Sequence, residues 1–164
     1  MKTLYLLRHA KSSSENPGCK DFDRPLSKRG LNDVPVMASR FKERKFSVQL
    51  MISSSAKRAQ TTASLMAKNI GFPVEDIISN SDLYFAGIEM FLRVVSLLEE
   101  NCESAMLVGH NPSITDFANC MANKSIDNMP TCGLIKMSLP INYWSDIVLG
   151  KGTFVEFDYP KNLR

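Results

Sequence analysis

Apolar runs alternate along the chain with segments in which apolar positions recur every three or four residues, the pattern of strands separated by amphipathic helices. The run Leu4-Tyr5-Leu6-Leu7 reads as a buried strand and stops on Arg8-His9-Ala10. The polar stretch from Ser12 to Lys28, with Pro17, Gly18 and Pro25, has the composition of a loop over a sheet edge. A helix is expected from near Ser27 to about Lys45, with Leu31, Val34, Met37, Ala38 and Phe41 on one face and Pro35 as a local conflict. Strands are expected at 46–52 and 74–78. Helices are expected at 56–69, with Gly71 past the end, and at 87–100.

A fourth strand, 104–108, runs into Gly109-His110-Asn111-Pro112. There Asn111 is the expected cap and Pro112 the first position of a helix reaching Asn123. The segments 133–139 and 152–157 read as strands around a turn-rich stretch. The alternation predicts an α/β domain spanning 1–164, built on an open, mostly parallel sheet covered on both faces, with antiparallel pairing at the C-terminal end.

Composition narrows the function classes. The chain has 164 residues, 44% hydrophobic and 23% charged, which is ordinary for a globular domain. A net charge of +3 without a dense Lys/Arg run gives no footprint for nucleic acid. The residues after Lys2 mimic the start of a signal peptide, but Arg8-His9 interrupts the apolar run, and no stretch approaches membrane-spanning length. Cys19, Cys102, Cys120 and Cys132 show no metal-ligand or redox spacing and read as free buried thiols, consistent with a cytoplasmic location. No metal and no cofactor is called for, and the oligomeric state is not legible.

The chemistry gathers at strand ends. In an open α/β sheet, ligands bind beyond the carboxyl ends of the strands. Both histidines of the chain, His9 and His110, follow such ends, as does Arg8. Arg58, in Ser53-Ser54-Ser55-Ala56-Lys57-Arg58, falls in the first turn of a helix, where its charge opposes the helix dipole and calls for an anion nearby. Two histidines and two arginines with no matching carboxylate beside Arg8 or Arg58 suit a phosphoryl group, because guanidinium forks bind its oxygens bidentately.

Four ordered motifs carry a resemblance. Leu7-Arg8-His9-Ala10-Lys11-Ser12, Asp23-Arg24-Pro25-Leu26-Ser27-Lys28-Arg29-Gly30, Ser53 to Ala63, and Val108-Gly109-His110-Asn111-Pro112 resemble the signature of the histidine phosphatase superfamily, branch 1, and most closely its small SixA-type phosphohistidine phosphatases. The resemblance implies a phosphoglycerate-mutase-like three-layer α/β/α sandwich without a cap insert. It further implies His9 as nucleophile, Arg8, Arg58 and a protonated His110 on the phosphoryl oxygens, and Arg24 as another phosphate contact. The field of these cations is expected to keep His9 unprotonated.

The general acid that larger members carry after the third strand has no glutamate counterpart here. Asp82, Asp23 and Asp21 are the candidates. Phosphohistidine, with its good leaving group, is therefore the expected substrate class, on a phosphorylated protein. A small phosphorylated metabolite, or phosphate binding without turnover, is the alternative, and a mutase is disfavoured by the missing cap.

Overall fold

The computed structural model describes residues 1–163. Six strands form one sheet: β1 (Lys2–Arg8), β2 (Leu50–Ser54), β3 (Ile78–Asn80), β4 (Ser104–Gly109), β5 (Leu134–Leu139) and β6 (Thr153–Asp158), in the order β3-β2-β4-β1-β5-β6. The first four positions in that order are parallel to one another. β5 runs antiparallel to β1, and β6 antiparallel to β5. The expected antiparallel end is thus present.

Four helices cover the sheet: α1 (Lys28–Glu43), α2 (Lys57–Ile70), α3 (Ile88–Ser96) and α4 (Ser113–Ala122). Successive strand residues point to opposite faces. Leu4, Leu6, Ala105 and Leu107 pack with Phe91, Ile114, Phe117 and Trp144 on the α3/α4 side. Tyr5, Leu7, Met106 and Val108 pack with Val34, Phe41, Ala63 and Met66 on the α1/α2 side. Central strands buried on both faces explain why β1 and β4 read as continuous apolar runs. The result is a three-layer α/β/α sandwich of the phosphoglycerate-mutase-like kind.

Several boundaries differ from the sequence pattern. β2 starts at Leu50, because Phe46 is drawn out of the ladder to pack on Tyr5 and Phe41, under the Lys136 ammonium. Val74–Asp76 is a 3-10 turn and the strand lies just after it. α3 ends at Ser96 instead of Glu100. In α1 the side chain of Ser27 caps the start by accepting from the Gly30 N–H, while Pro35, which has no N–H to give the helix, sits on the exposed face. Leu31 lies on that same exposed face, not on the buried one. Of the four free cysteines only Cys132 is buried. Lys2 is enclosed, its Nζ donating to the Glu100 and Cys102 carbonyls and to Glu103. Among the described residues no helix is long and apolar enough to cross a membrane.

Candidate active site

β1 and β4 pair in register, with Arg8 opposite Gly109. Each strand therefore delivers its histidine, one residue later, to the same edge of the sheet. The His9 and His110 rings lie 5.0 Å apart between centroids, both almost wholly buried. The tight space beside Gly109, where a Cβ would come within 3.2 Å of the Phe91 ring, brings the second corner close to α3.

The His9 corner is held from three directions. Ala10 N–H donates to Thr62 Oγ1 of α2 at 3.0 Å, and the Thr62 hydroxyl donates to the Arg58 carbonyl. The Lys11 carbonyl accepts from the backbone N–H and the hydroxyl of Ser27 at the start of α1. Gly30 makes that approach possible, because a Cβ there would stand 2.2 Å from the Lys11 carbonyl oxygen. A bridge between Ser12 and Leu26 closes the loop from Ser12 to Lys28 into an excursion whose 3-10 tip, Asp21–Asp23, lies against α2.

Within the site, His9 Nδ1 lies 2.7 Å from the Ala10 carbonyl. A carbonyl only accepts, so Nδ1 carries the proton and Nε2 keeps its lone pair. Arg58 Nε faces that lone pair at 3.4 Å. Burial, and then the charges of His110, Arg58 and Arg8, bring the His9 pKa down to about 3. Desolvation is thus the larger cause and the cation field the smaller one, the reverse of the emphasis drawn from sequence.

His110 is arranged differently. Its Nε2 pairs with Ser54 Oγ at 2.7 Å, and its Nδ1 is buried with no partner among the described residues. Burial and Arg58 lower its pKa to about 4, so at neutral pH the free protein carries imidazole here and not the expected imidazolium. Arg8 donates from Nη1 to the Met129 carbonyl at 2.7 Å, while its Nε is buried without a partner among the described residues. Such orphaned polar atoms are rare in folded proteins.

Arg58 does have a carboxylate beside it. Its Nη1 donates to the Asp21 carbonyl at 2.7 Å and its Nη2 to Asp21 Oδ2 at 3.1 Å. The 3-10 tip, unreadable as structure in the sequence, supplies the anion that the first turn of α2 lacked. Asp21 also accepts from Arg24 at 3.0 Å and from the Tyr84 hydroxyl. Those bonds hold its carboxyl below the usual carboxylate range, the Tyr84 contribution being largest. Of the three candidate acids, Asp21 alone reaches the site. Asp82 is exposed in the turn Ser81–Leu83, its backbone N–H capped by Asn80, and Asp23 is exposed, its backbone N–H bonding the Lys20 carbonyl and its side chain bonded to none of the site residues. Arg24 is bound to Asp21, not to Asp23.

Asn111 does not cap α4. The peptide to Pro112 is cis, Pro112 itself stands at the cap, and the Asn111 side chain instead bonds Asn128, the Met129 carbonyl and Thr115. It thereby ties the segment carrying the Arg8 acceptor to α4. Ser54, Thr62, Tyr84 and the Met129 carbonyl had no assigned role in the sequence. Ser54 and Thr62 lay inside the quoted motif, which was the available signal, whereas Tyr84 gave none.

Comparison with known proteins follows the same lines. The profile of the histidine phosphatase superfamily (branch 1) matches residues 4–82, the stretch holding Arg8, His9, Arg24 and Arg58. The protein assigned as phosphohistidine phosphatase SixA from Agrobacterium tumefaciens is 27% identical, with TM-score 0.82 over 97% of this chain and 98% of its own. The protein histidine phosphatase SixA complexed with tungstate is 20% identical and shares the fold, with TM-score 0.83 over 99% of each chain. An uncharacterised protein of Mycobacterium tuberculosis is 26% identical over 165 residues, 94% of this chain and all of that one.

Fold and site together define a phosphatase. Residues 4–82 match the model of the histidine phosphatase superfamily, branch 1, and the chain as a whole is similar to the SixA phosphohistidine phosphatases.

Proposed function

We propose that the protein hydrolyses phosphohistidine in proteins through a phosphoryl intermediate on His9. The observation that carries this reading is the unprotonated His9 Nε2, whose proton is kept on Nδ1 by the Ala10 carbonyl and whose lone pair meets only a long 3.4 Å bond from Arg58 Nε, within the field of Arg8, Arg58 and His110. Nε2 attacks phosphorus in line, the P–N bond to the leaving ring breaks, and the arginines with His110 take the charge on the equatorial oxygens. An approaching phosphoryl dianion raises the His110 pKa, so the imidazolium forms on binding. Water then attacks the phosphohistidine, breaking the P–Nε2 bond and releasing inorganic phosphate.

The choice of phosphohistidine rests on the carboxylates. An alkyl phosphate needs its leaving alkoxide protonated in the transition state. Asp21, with its lowered pKa, is held as the anion, and neither Asp82 nor Asp23 reaches the site. A phosphorylated imidazole whose second nitrogen is protonated leaves as a neutral ring and needs no such acid. No metal or cofactor enters these steps, and turnover is expected to persist in a chelator.

Rapid quench of the protein with a radiolabelled phosphohistidine peptide tests the reading. An acid-labile, alkali-stable label on His9 is expected, absent from His9→Ala. A protein that turns over a sugar phosphate far faster than the peptide belongs to the small-molecule reading, and one that binds vanadate but turns over nothing is a binding module.

A further inference from the structure

Beside the phosphoryl position lies an open cleft of about 510 Å³ whose wall is aromatic. Tyr84 and Phe85 stack at 4.2 Å with their planes 9° apart, and Phe22 lies 5.1 Å from Tyr84. The shelf is continuous with the site: the Tyr84 ring is 5.5 Å from His110 and 5.9 Å from the Arg58 guanidinium. Phe85 is 91% exposed and joins Tyr84 and the exposed Phe22 in one contiguous apolar patch, the kind of surface that marks a binding site. Ser55 lines the same cleft, and its hydroxyl lies just beneath the surface, buried and without a partner among the described residues.

We infer that Phe22, Tyr84, Phe85 and Ser55 form the leaving-group subsite, which selects a flat imidazole on the phosphoryl group over an alkyl or sugar residue. The inference rests on the phosphatase reading above and adds the residues that choose the substrate. A heteroaromatic ring gains from offset stacking on such a shelf. The Ser55 oxygen accepts from the N–H on the ring nitrogen opposite the phosphorus, the protonation state in which the ring leaves most readily. The exposed Phe85 meets the surface of the protein that carries the phosphohistidine.

Phosphoramidate has the same P–N bond and no ring, so it isolates the shelf. The readout is kcat/KM for a phosphohistidine peptide divided by kcat/KM for phosphoramidate. Phe22→Ala/Phe85→Ala is expected to lower that ratio about tenfold, chiefly through KM, and Ser55→Ala to lower it several-fold. Tyr84 is left in place because it also holds Asp21. Both altered phenylalanines are exposed, so folding is not at stake. An unchanged ratio in both variants overturns the subsite, as do equal losses on the two substrates or a larger effect on p-nitrophenyl phosphate than on the peptide. If wild type forms no phosphoenzyme from either P–N compound, the phosphatase reading falls and the subsite with it. A phosphoenzyme formed from both with an unmoved ratio removes the subsite alone.

Discussion

His9 and His110 stand at one level of the sheet, each a single residue beyond paired positions of β1 and β4, yet their surroundings give them opposite characters. His9 is locked by the bond its Nδ1–H donates to the Ala10 carbonyl, which fixes the proton there and leaves Nε2 unprotonated to accept a long bond from Arg58 Nε. His110 is tied through Nε2 to Ser54 and keeps Nδ1 unpartnered. In the proposed mechanism the first arrangement serves as the nucleophile and the second meets a phosphoryl oxygen. Two identical side chains at equivalent strand ends are differentiated by which ring nitrogen the backbone or its neighbour engages.

The sharpest separation comes from deleting each ring. His9→Ala is expected to lower kcat by roughly four to six orders of magnitude, since no intermediate forms. His110→Ala is expected to cost about 10²–10³, the scale of losing one electrostatic contact to the transferring group. Steady-state kinetics on a phosphohistidine peptide measures both, and equal losses for the two variants would erase the distinction.

Gly30→Ala breaks the comparison from the scaffold, because it touches one corner only. Its Cβ meets a backbone carbonyl, that of Lys11, which cannot rotate away. The expected cost is about 1–3 kcal/mol of stability. kcat falls with the shift of the His9 loop, while vanadate quenching of a reporter near His110 survives at permissive temperature. Thermal unfolding and kcat measured on the same preparation check it.

The partners of each corner give smaller effects. Ser54→Ala leaves His110 Nε2 buried without its bond, and Thr62→Val does the same to the Ala10 N–H. Each change costs about 1–3 kcal/mol at the group concerned. Ser54→Ala is expected to appear mainly as weaker vanadate inhibition, and Thr62→Val as lower kcat. The reverse assignment would interchange the roles drawn for the two corners.

How far these roles were legible in the sequence differs between elements. β1 and β4 announced themselves because strands buried on both faces read as unbroken apolar runs, and the histidines followed directly. The partner of Arg58 did not, because Asp21 arrives through a loop closed by the single bridge of Ser12 with Leu26, a contact with no periodicity. The same holds for Tyr84, whose place beside His110 is set by a 3-10 turn after a three-residue strand. The Asn111 cap failed for a different reason: Thr115, Asn128 and the Met129 carbonyl compete for its side chain and win it. Local propensity carried the helices and strands, whereas long-range hydrogen bonding decided the site's rim.

The mildest probe leaves both rings intact and reads their protons. The chain has only two histidines, so the imidazole signals are unambiguous in an NMR titration. With folded pKa values of about 3 for His9 and about 4 for His110, neither ring protonates between pH 7 and 5. Both values lie below the unfolded value of about 6.5, so in that window the unfolded chain binds more protons than the folded one. Stability is therefore full above about pH 6.5 and declines as pH falls toward 4, by about 1.4 kcal/mol per pH unit for each histidine. Vanadate then separates the two. His9 Nε2, engaged with vanadium, stays silent, whereas His110, facing an added anion, titrates at higher pH than in the free protein. A His9 signal that moves upward with His110 would mean that the lone pair on Nε2 is not the group meeting the oxyanion, and the difference between the corners would have to be sought in Arg58.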